Sequence, residues 1–196
     1  MNLPNKLTLS RLILTVFFLV ALFISFPLNT TVALVLFVAA SITDFYDGMI
    51  ARRDNLITNF GILLDPLADK ILTCSAFIAF VEMGEVQAWM AVLIVARELA
   101  ITGLRLLAVS KNAVLAADGW GKQKTIWQII AIISILVVMS YADWPVVGNA
   151  VFGWELFGKP WSVWFRDLSL WVTVVLTAVS GWLYLWRNRQ IYLSDM

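Results

Sequence analysis

The sequence predicts an all-α integral membrane protein of six spanning helices with a short N-terminal amphipathic lead-in. Three observations carry that prediction. The 196 residues are 61% hydrophobic and only 14% charged. Soluble domains run near 45–50% apolar and about 25% charged. The mean hydropathy is +0.86. Apolar stretches also recur at close to the roughly 20 residues that a bilayer core requires. The length suits a single domain, taken as residues 1–196. A net charge of +1 argues for no nucleic-acid partner.

Leu3–Ser10 reads as the lead-in, lying on a membrane surface. The spans follow at Arg11–Phe26, Thr31–Ile50, Gly61–Val81, Ala88–Val109, Thr125–Tyr141 and Leu168–Trp186. Lys6 and Arg11 ahead of the first apolar run have the look of a signal peptide, but no convincing small-residue cleavage site follows. Lys6, Arg11, Arg52, Arg53, Lys111, Lys122, Lys124, Arg187 and Arg189 fall on one side of this arrangement, and only Lys159 and Arg166 on the other. The excess of cations predicts a cytoplasmic location for the first set and for both termini. The connections Pro27–Thr30, Glu82–Gln87 and Ala142–Asp167 then face outward.

The outer connection Ala142–Asp167 holds Trp144, Trp154, Trp161 and Trp164, read as an interfacial aromatic belt. Its Gly153–Lys159 run fits GxxxxGK. A phosphate-binding loop needs Ser or Thr next, and Pro160 stands there instead. Asn29-Thr30-Thr31 is formally a glycosylation sequon and carries little weight. Cys74 is the single cysteine and histidine is absent. An intrachain disulfide, a thiolate cluster and histidine chemistry are therefore excluded, and acid–base or metal work must use Asp, Glu, Lys or Tyr.

Carboxylates inside spanning helices are costly and mark function. Asp44 and Asp47 sit i, i+3 near the end of the second span, and Asp65 and Asp69 sit i, i+4 at the start of the third. Each pair shares a helix face. A short connection joins the two spans, so the four groups can converge. So many like charges together require protonation or a divalent cation, and oxygen donors of this kind suit magnesium or manganese. The competing reading is structural, with each Asp a helix cap or a lysine partner. Asp65 before Pro66 fits an N-cap with Pro at the first helical position. Gly48, Ala51 and Gly61 stand about one turn from these carboxylates, leaving room either for a ligand or for helix packing. Arg52 at the membrane edge suits a phosphate or simple snorkelling.

The whole pattern, Asp44-x-x-Asp47-Gly48-x-x-Ala51-Arg52-(x)8-Gly61-x-x-x-Asp65-x-x-x-Asp69, resembles the signature of the CDP-alcohol phosphatidyltransferase family at every fixed position. The resemblance implies that family's six-helix fold, usually homodimeric, and a site holding two Mg2+ or Mn2+ ions. It implies transfer of a phosphatidyl group from a CDP-linked lipid to an alcohol with release of CMP. On that basis Asp44, Asp47, Asp65 and Asp69 bind metal, and Asp69 is also the catalytic base. Asp44, Gly48, Ala51, Arg52 and Gly61 contact the CDP moiety.

Further stretches look like those of bacterial members that use glycerol 3-phosphate. They are Asn2–Arg11, Leu64–Lys70, Arg97-Glu98, Thr102–Arg105 and Gly121–Thr125. The similarity runs to about Thr125. It implies CDP-diacylglycerol and sn-glycerol 3-phosphate as substrates, and a bacterial inner (cytoplasmic) membrane location among membrane lipids. Arg97 and Arg105, eight residues apart, share a face that should point inward. With Lys122 they suit an acceptor that carries its own phosphate. Structural pairing, for instance of Glu98 with Lys70 or Arg97, is the alternative, and Glu98 is read as structural. Two other functions stay open. One is the same fold with inositol phosphate, serine or phosphatidylglycerol as acceptor. The other is a divalent-cation transporter, which would place acidic residues through the membrane depth.

Overall fold

The computed structural model describes the backbone of residues 3–54, 59–110, 119–144 and 146–193, and the side chains of residues 9–43, 70–109, 119, 121–144 and 146–192. Six long helices dominate these residues: α1 (Leu3–Phe23), α2 (Asn29–Asp54), α3 (Asn59–Glu82), α4 (Ala88–Ser110), α5 (Gly119–Ser140) and α7 (Trp161–Arg187). Two five-residue helices, α6 (Val147–Val151) and α8 (Arg189–Leu193), accompany them. The stretches Gly121–Asp143 and Trp161–Arg187 are long and apolar enough to cross a membrane, and Leu9–Phe23 and Asn29–Thr43 are shorter apolar helices.

Several boundaries differ from the sequence reading. The lead-in is not separate, because α1 runs unbroken from Leu3. Pro4 lies in its first turn, where a missing N–H is harmless. Nor is Asp65 an N-cap: α3 starts at Asn59, six residues earlier. Pro66 therefore falls inside the helix and has no N–H for the preceding turn, at the level of the carboxylates. The last span begins at Trp161 rather than Leu168, which takes Trp161 and Trp164 out of the outer connection and into α7.

α1 packs on α2 and α3, α5 on α2 and α7, and α4 on α3 and α7. Phe18, Phe37, Phe77, Phe80, Ile132, Ile135 and Leu136 are fully buried where α1, α2, α3 and α5 meet. The Phe18 and Phe37 rings lie 5.6 Å apart and tilted, a favoured aromatic geometry. α7 meets α5 differently, through a stripe of small and hydroxylated residues that allows close approach. Ser134 and Ser169 hydroxyls pair at 2.9 Å, and the Thr173 hydroxyl donates to the Trp127 carbonyl at 2.9 Å.

Large apolar side chains face outward on α1 (Ile13, Val16, Phe17, Val20), α4 (Val92, Leu99, Val109) and α7 (Trp171, Val175, Trp182), while Arg11, Glu98 and Lys124 are buried. Water-soluble proteins show the opposite arrangement. Lipid makes it favourable, since charges turned to lipid are the expensive ones.

The three connections read as outer meet at one end of the bundle. Thr30 donates to Asp143 at 3.2 Å, the Trp144 indole donates to Thr31 at 3.1 Å, and Arg166 pairs with Glu85 at 2.8 Å. The same end carries a hairpin of β1 (Glu155–Leu156) and β2 (Lys159–Pro160), with Leu156 opposite Lys159. Phe157 and Gly158 form its turn, both at positive φ, as a two-residue hairpin of matching twist requires. The GxxxxGK run is therefore a β-turn, with Gly158 at a position glycine tolerates freely.

Candidate active site

α2 brings Asp44, Asp47, Gly48, Ala51 and Arg52 along one continuous helix, and α3 does the same for Gly61, Asp65 and Asp69. The i, i+3 and i, i+4 registers therefore hold at the level of the backbone, and each carboxylate pair lies on one face of its helix. The side chains of these eight residues lie outside those described. An all-oxygen, thiolate-free donor set on two successive helices fits a hard divalent cation. Among the described residues no group of three or more metal-ligating side chains occurs.

The side-chain geometry begins one residue past Asp69. Glu98, in the middle of α4, is 1% exposed. Lys70 of α3 pairs with its Oε2 at 2.9 Å. The Lys124 ammonium of α5 donates to Oε1, the Gln128 amide donates to the same oxygen at 3.4 Å, and so does Arg97 at 3.4 Å. Lys124 is itself 1% exposed. One carboxylate thus gathers cations from three helices. A cleft of about 40 Å³ lies beside this group, lined by Arg11, Ser41, Lys70, Thr73, Thr125 and Gln128.

Arg97 and Arg105 do share a face, and both reach α7. Arg97 donates to Ser180 at 3.3 Å, besides its bond to Glu98. Its stem passes so close to α7 that a β-carbon at Gly181 would stand 2.9 Å from Arg97 Cγ. Arg105 donates to the Tyr184 hydroxyl at 3.2 Å and lies over that ring, 5.5 Å from its centre, a cation–π geometry. The face expected to point inward does so only at Arg97, which is 12% exposed, whereas Arg105 and Lys122 are exposed. Gly121, next to Lys122, faces the Arg97 guanidinium, with 3.7 Å between an ideal β-carbon and a terminal nitrogen.

Lys124, Gln128, Ser180, Gly181 and Tyr184 were not singled out as site residues in the sequence. Lys124 and Gln128 are four apart on one helix face, a polar pair entering an apolar run, and that was the available signal. α7 carries no motif, and only its contacts with α4 reveal it.

The family described as CDP-alcohol phosphatidyltransferase matches residues 1–179 of this chain. A Bacillus subtilis protein named CDP-diacylglycerol–glycerol-3-phosphate 3-phosphatidyltransferase is 41% identical over 95% of both chains. A Rickettsia bellii protein of the same name is 36% identical over 93% of both. A Mycobacterium tuberculosis protein named as a probable phosphatidylglycerophosphate synthase is 44% identical over 67% of this chain and 64% of its own.

Proposed function

This chain belongs to the CDP-alcohol phosphatidyltransferase family, and from that premise we propose that it transfers the phosphatidyl group of CDP-diacylglycerol to sn-glycerol 3-phosphate, giving phosphatidylglycerophosphate and CMP. The observation that carries the reading is the eight-position signature, on two successive helices, in a chain that aligns over nearly its whole length with proteins named for that reaction.

In this reading residues 1–196 form one membrane domain of six spanning helices, α1 to α5 and α7, and the protein is a homodimer in the bacterial inner membrane. Both termini and the α2–α3 junction face the cytoplasm. The distribution of Lys and Arg supports that orientation, as does the meeting of the three cation-poor connections at the opposite end.

Asp44, Asp47, Asp65 and Asp69 would hold two Mg2+ or Mn2+ ions. When bound, these supply Lewis-acid stabilisation of the diphosphate and of the departing CMP. Asp44, Gly48, Ala51, Arg52 and Gly61 bind the CDP moiety, the small residues by letting it approach the helix backbones. Arg97, Arg105 and Lys122 bind the phosphate of the acceptor and orient its free hydroxyl. Asp69 accepts the proton of that hydroxyl as its oxygen bonds to the phosphorus bearing the diacylglycerol. The bond from that phosphorus to the CMP phosphate oxygen breaks, and CMP leaves with the electron pair.

Purified protein incubated with CDP-diacylglycerol, a divalent cation and a panel of alcohols tests the proposal. CMP release is expected with glycerol 3-phosphate and is abolished by excess chelator. Turnover only with inositol phosphate, serine or phosphatidylglycerol would reassign the acceptor. Cation flux without CMP release would replace the enzyme by a transporter. A cysteine placed in the 146–160 connection should react with an impermeant reagent from outside, and one near Asn112 should not. The reverse pattern would invert the orientation.

A further inference from the structure

Glu98 has no part in the chemistry above, yet it is the most heavily engaged carboxylate among the described side chains. A carboxylate deep in a helical bundle is costly even when paired, and apolar side chains of similar size often hold helices together as well or better. The same bundle uses that cheaper solution elsewhere, at Phe77 of α3, Ile94 of α4 and Ile135 of α5, all fully buried. Apolar packing does not, however, fix the ends of long, flexible cationic side chains. Glu98 does this for Lys70, Lys124 and Arg97 at once. Lys70 and Lys124 each neighbour a residue with a proposed role, and Arg97 is itself one of the proposed acceptor-phosphate ligands. Lys70 directly follows Asp69, Lys124 lies two residues beyond Lys122, and Arg97 shares its face with Arg105.

We propose that Glu98 is a positioning residue of the transferase site. It fixes α3, the helix of Asp65 and Asp69, against α4 and α5, the helices of Arg105 and Lys122. The inference rests on the functional reading above. The metal-binding helix and the acceptor-binding helices are separate elements, and in-line attack needs the acceptor hydroxyl aligned with the phosphorus. A misplacement of about 1 Å costs on the order of a hundredfold in rate. A network that ties Lys70 and Lys124 to one carboxylate limits that misplacement.

CMP release by wild-type protein with CDP-diacylglycerol, glycerol 3-phosphate and Mg2+ comes first, since its absence overturns both the functional reading and this one. In an active protein, Glu98→Gln is expected to lower kcat about a hundredfold while both KM values stay within about threefold. Its melting temperature also falls, because Lys70 and Lys124 lose their counter-charge. The double variant Glu98→Gln/Lys124→Met removes one unpaired ammonium and regains melting temperature, but its kcat stays low. Recovery of kcat together with melting temperature would show that the network only holds the fold, and would overturn the positioning role. Glu98→Asp decides the same point if the glutamine variants do not fold, since it keeps the charge on a side chain one carbon shorter. A folded Glu98→Asp protein with wild-type kcat sinks the proposal, and a reduced kcat with unchanged KM values supports it.

Discussion

Toward the hairpin end, α1, α2, α3 and α5 meet through Phe18, Phe37, Phe77, Phe80, Ile132 and Leu136. Toward the α2–α3 junction, neighbouring turns of the bundle meet through Arg11, Lys70, Glu98, Lys124 and Gln128. The first region is held by shape and dispersion, which fall off gradually as atoms are removed. The second is held by charges whose partners cannot be deleted singly without leaving an unpaired group. In lipid, where no water drives apolar faces together, close packing must do most of the work of assembly. The apolar region can therefore carry the stability of the bundle. The polar region is free to be arranged for chemistry.

That contrast separates the expected effects of substitution. The largest effect on turnover falls at the junction end. Asp44→Ala, Asp47→Ala, Asp65→Ala and Asp69→Ala should each lower CMP release by about a thousandfold in a folded protein, the several kcal/mol that metal-held charge stabilisation supplies. Asp69→Asn should be nearly as damaging, since it removes the proposed base while keeping the shape. An Asp69→Asn protein running at the normal rate would take Asp69 out of that role.

Phe77→Ala reverses the pattern. It should cost about 3–5 kcal/mol of stability, the usual penalty of a large core cavity. Thermal unfolding in detergent would read this, with kcat per folded molecule unchanged. A kcat loss as large as the stability loss would mean that the two regions are not separable.

At the cation face, Arg105→Ala or Lys122→Ala should raise the KM for glycerol 3-phosphate roughly tenfold to a hundredfold, the value of one charge-assisted bond. The KM for CDP-diacylglycerol should change much less. Arg105→Lys should rescue only in part, because a point charge replaces a planar fork. Arg52→Ala should show the opposite bias and weaken the donor. Kinetics with each substrate varied in turn decide between these outcomes, and an unaltered acceptor KM would dismiss Arg105 and Lys122 as a phosphate site.

The smallest effect is expected at Tyr184→Phe. It deletes the hydroxyl that accepts from Arg105 but keeps the ring beneath the guanidinium. A lost neutral partner is worth about 0.5–1.5 kcal/mol, so the acceptor KM should rise about twofold to tenfold. A change as large as that of Arg105→Ala would mean that Tyr184 itself touches the acceptor.

The reading of Asp44, Asp47, Asp65 and Asp69 needed only the sequence, because helix geometry turns i, i+3 and i, i+4 spacing into shared faces without reference to any other element. The helical stretches were legible for a similar reason, since apolar length is a local property. Their ends were not. Pro66 carried an N-terminal signal that the surrounding helix overrode, and α3 instead begins at Asn59. Trp161 and Trp164 were placed in the outer connection, yet they open α7. Pairing of Glu98 with Lys70 or Arg97 was open to the sequence as an alternative, and both pairs form, but the remaining partners of the cations were beyond sequence reasoning. Lys124 and Glu98 are 26 residues apart, Arg105 and Tyr184 are 79, and Arg97 and Ser180 are 83. Neither Ser180 nor Tyr184 stands in any motif. Pairing over such separations is decided by which helix faces pack together, and that depends on shape summed over the whole bundle. The sequence alone put the candidate carboxylates on shared helix faces, because that spacing is local to each helix, and the tertiary structure decided which neighbours hold the cations around them.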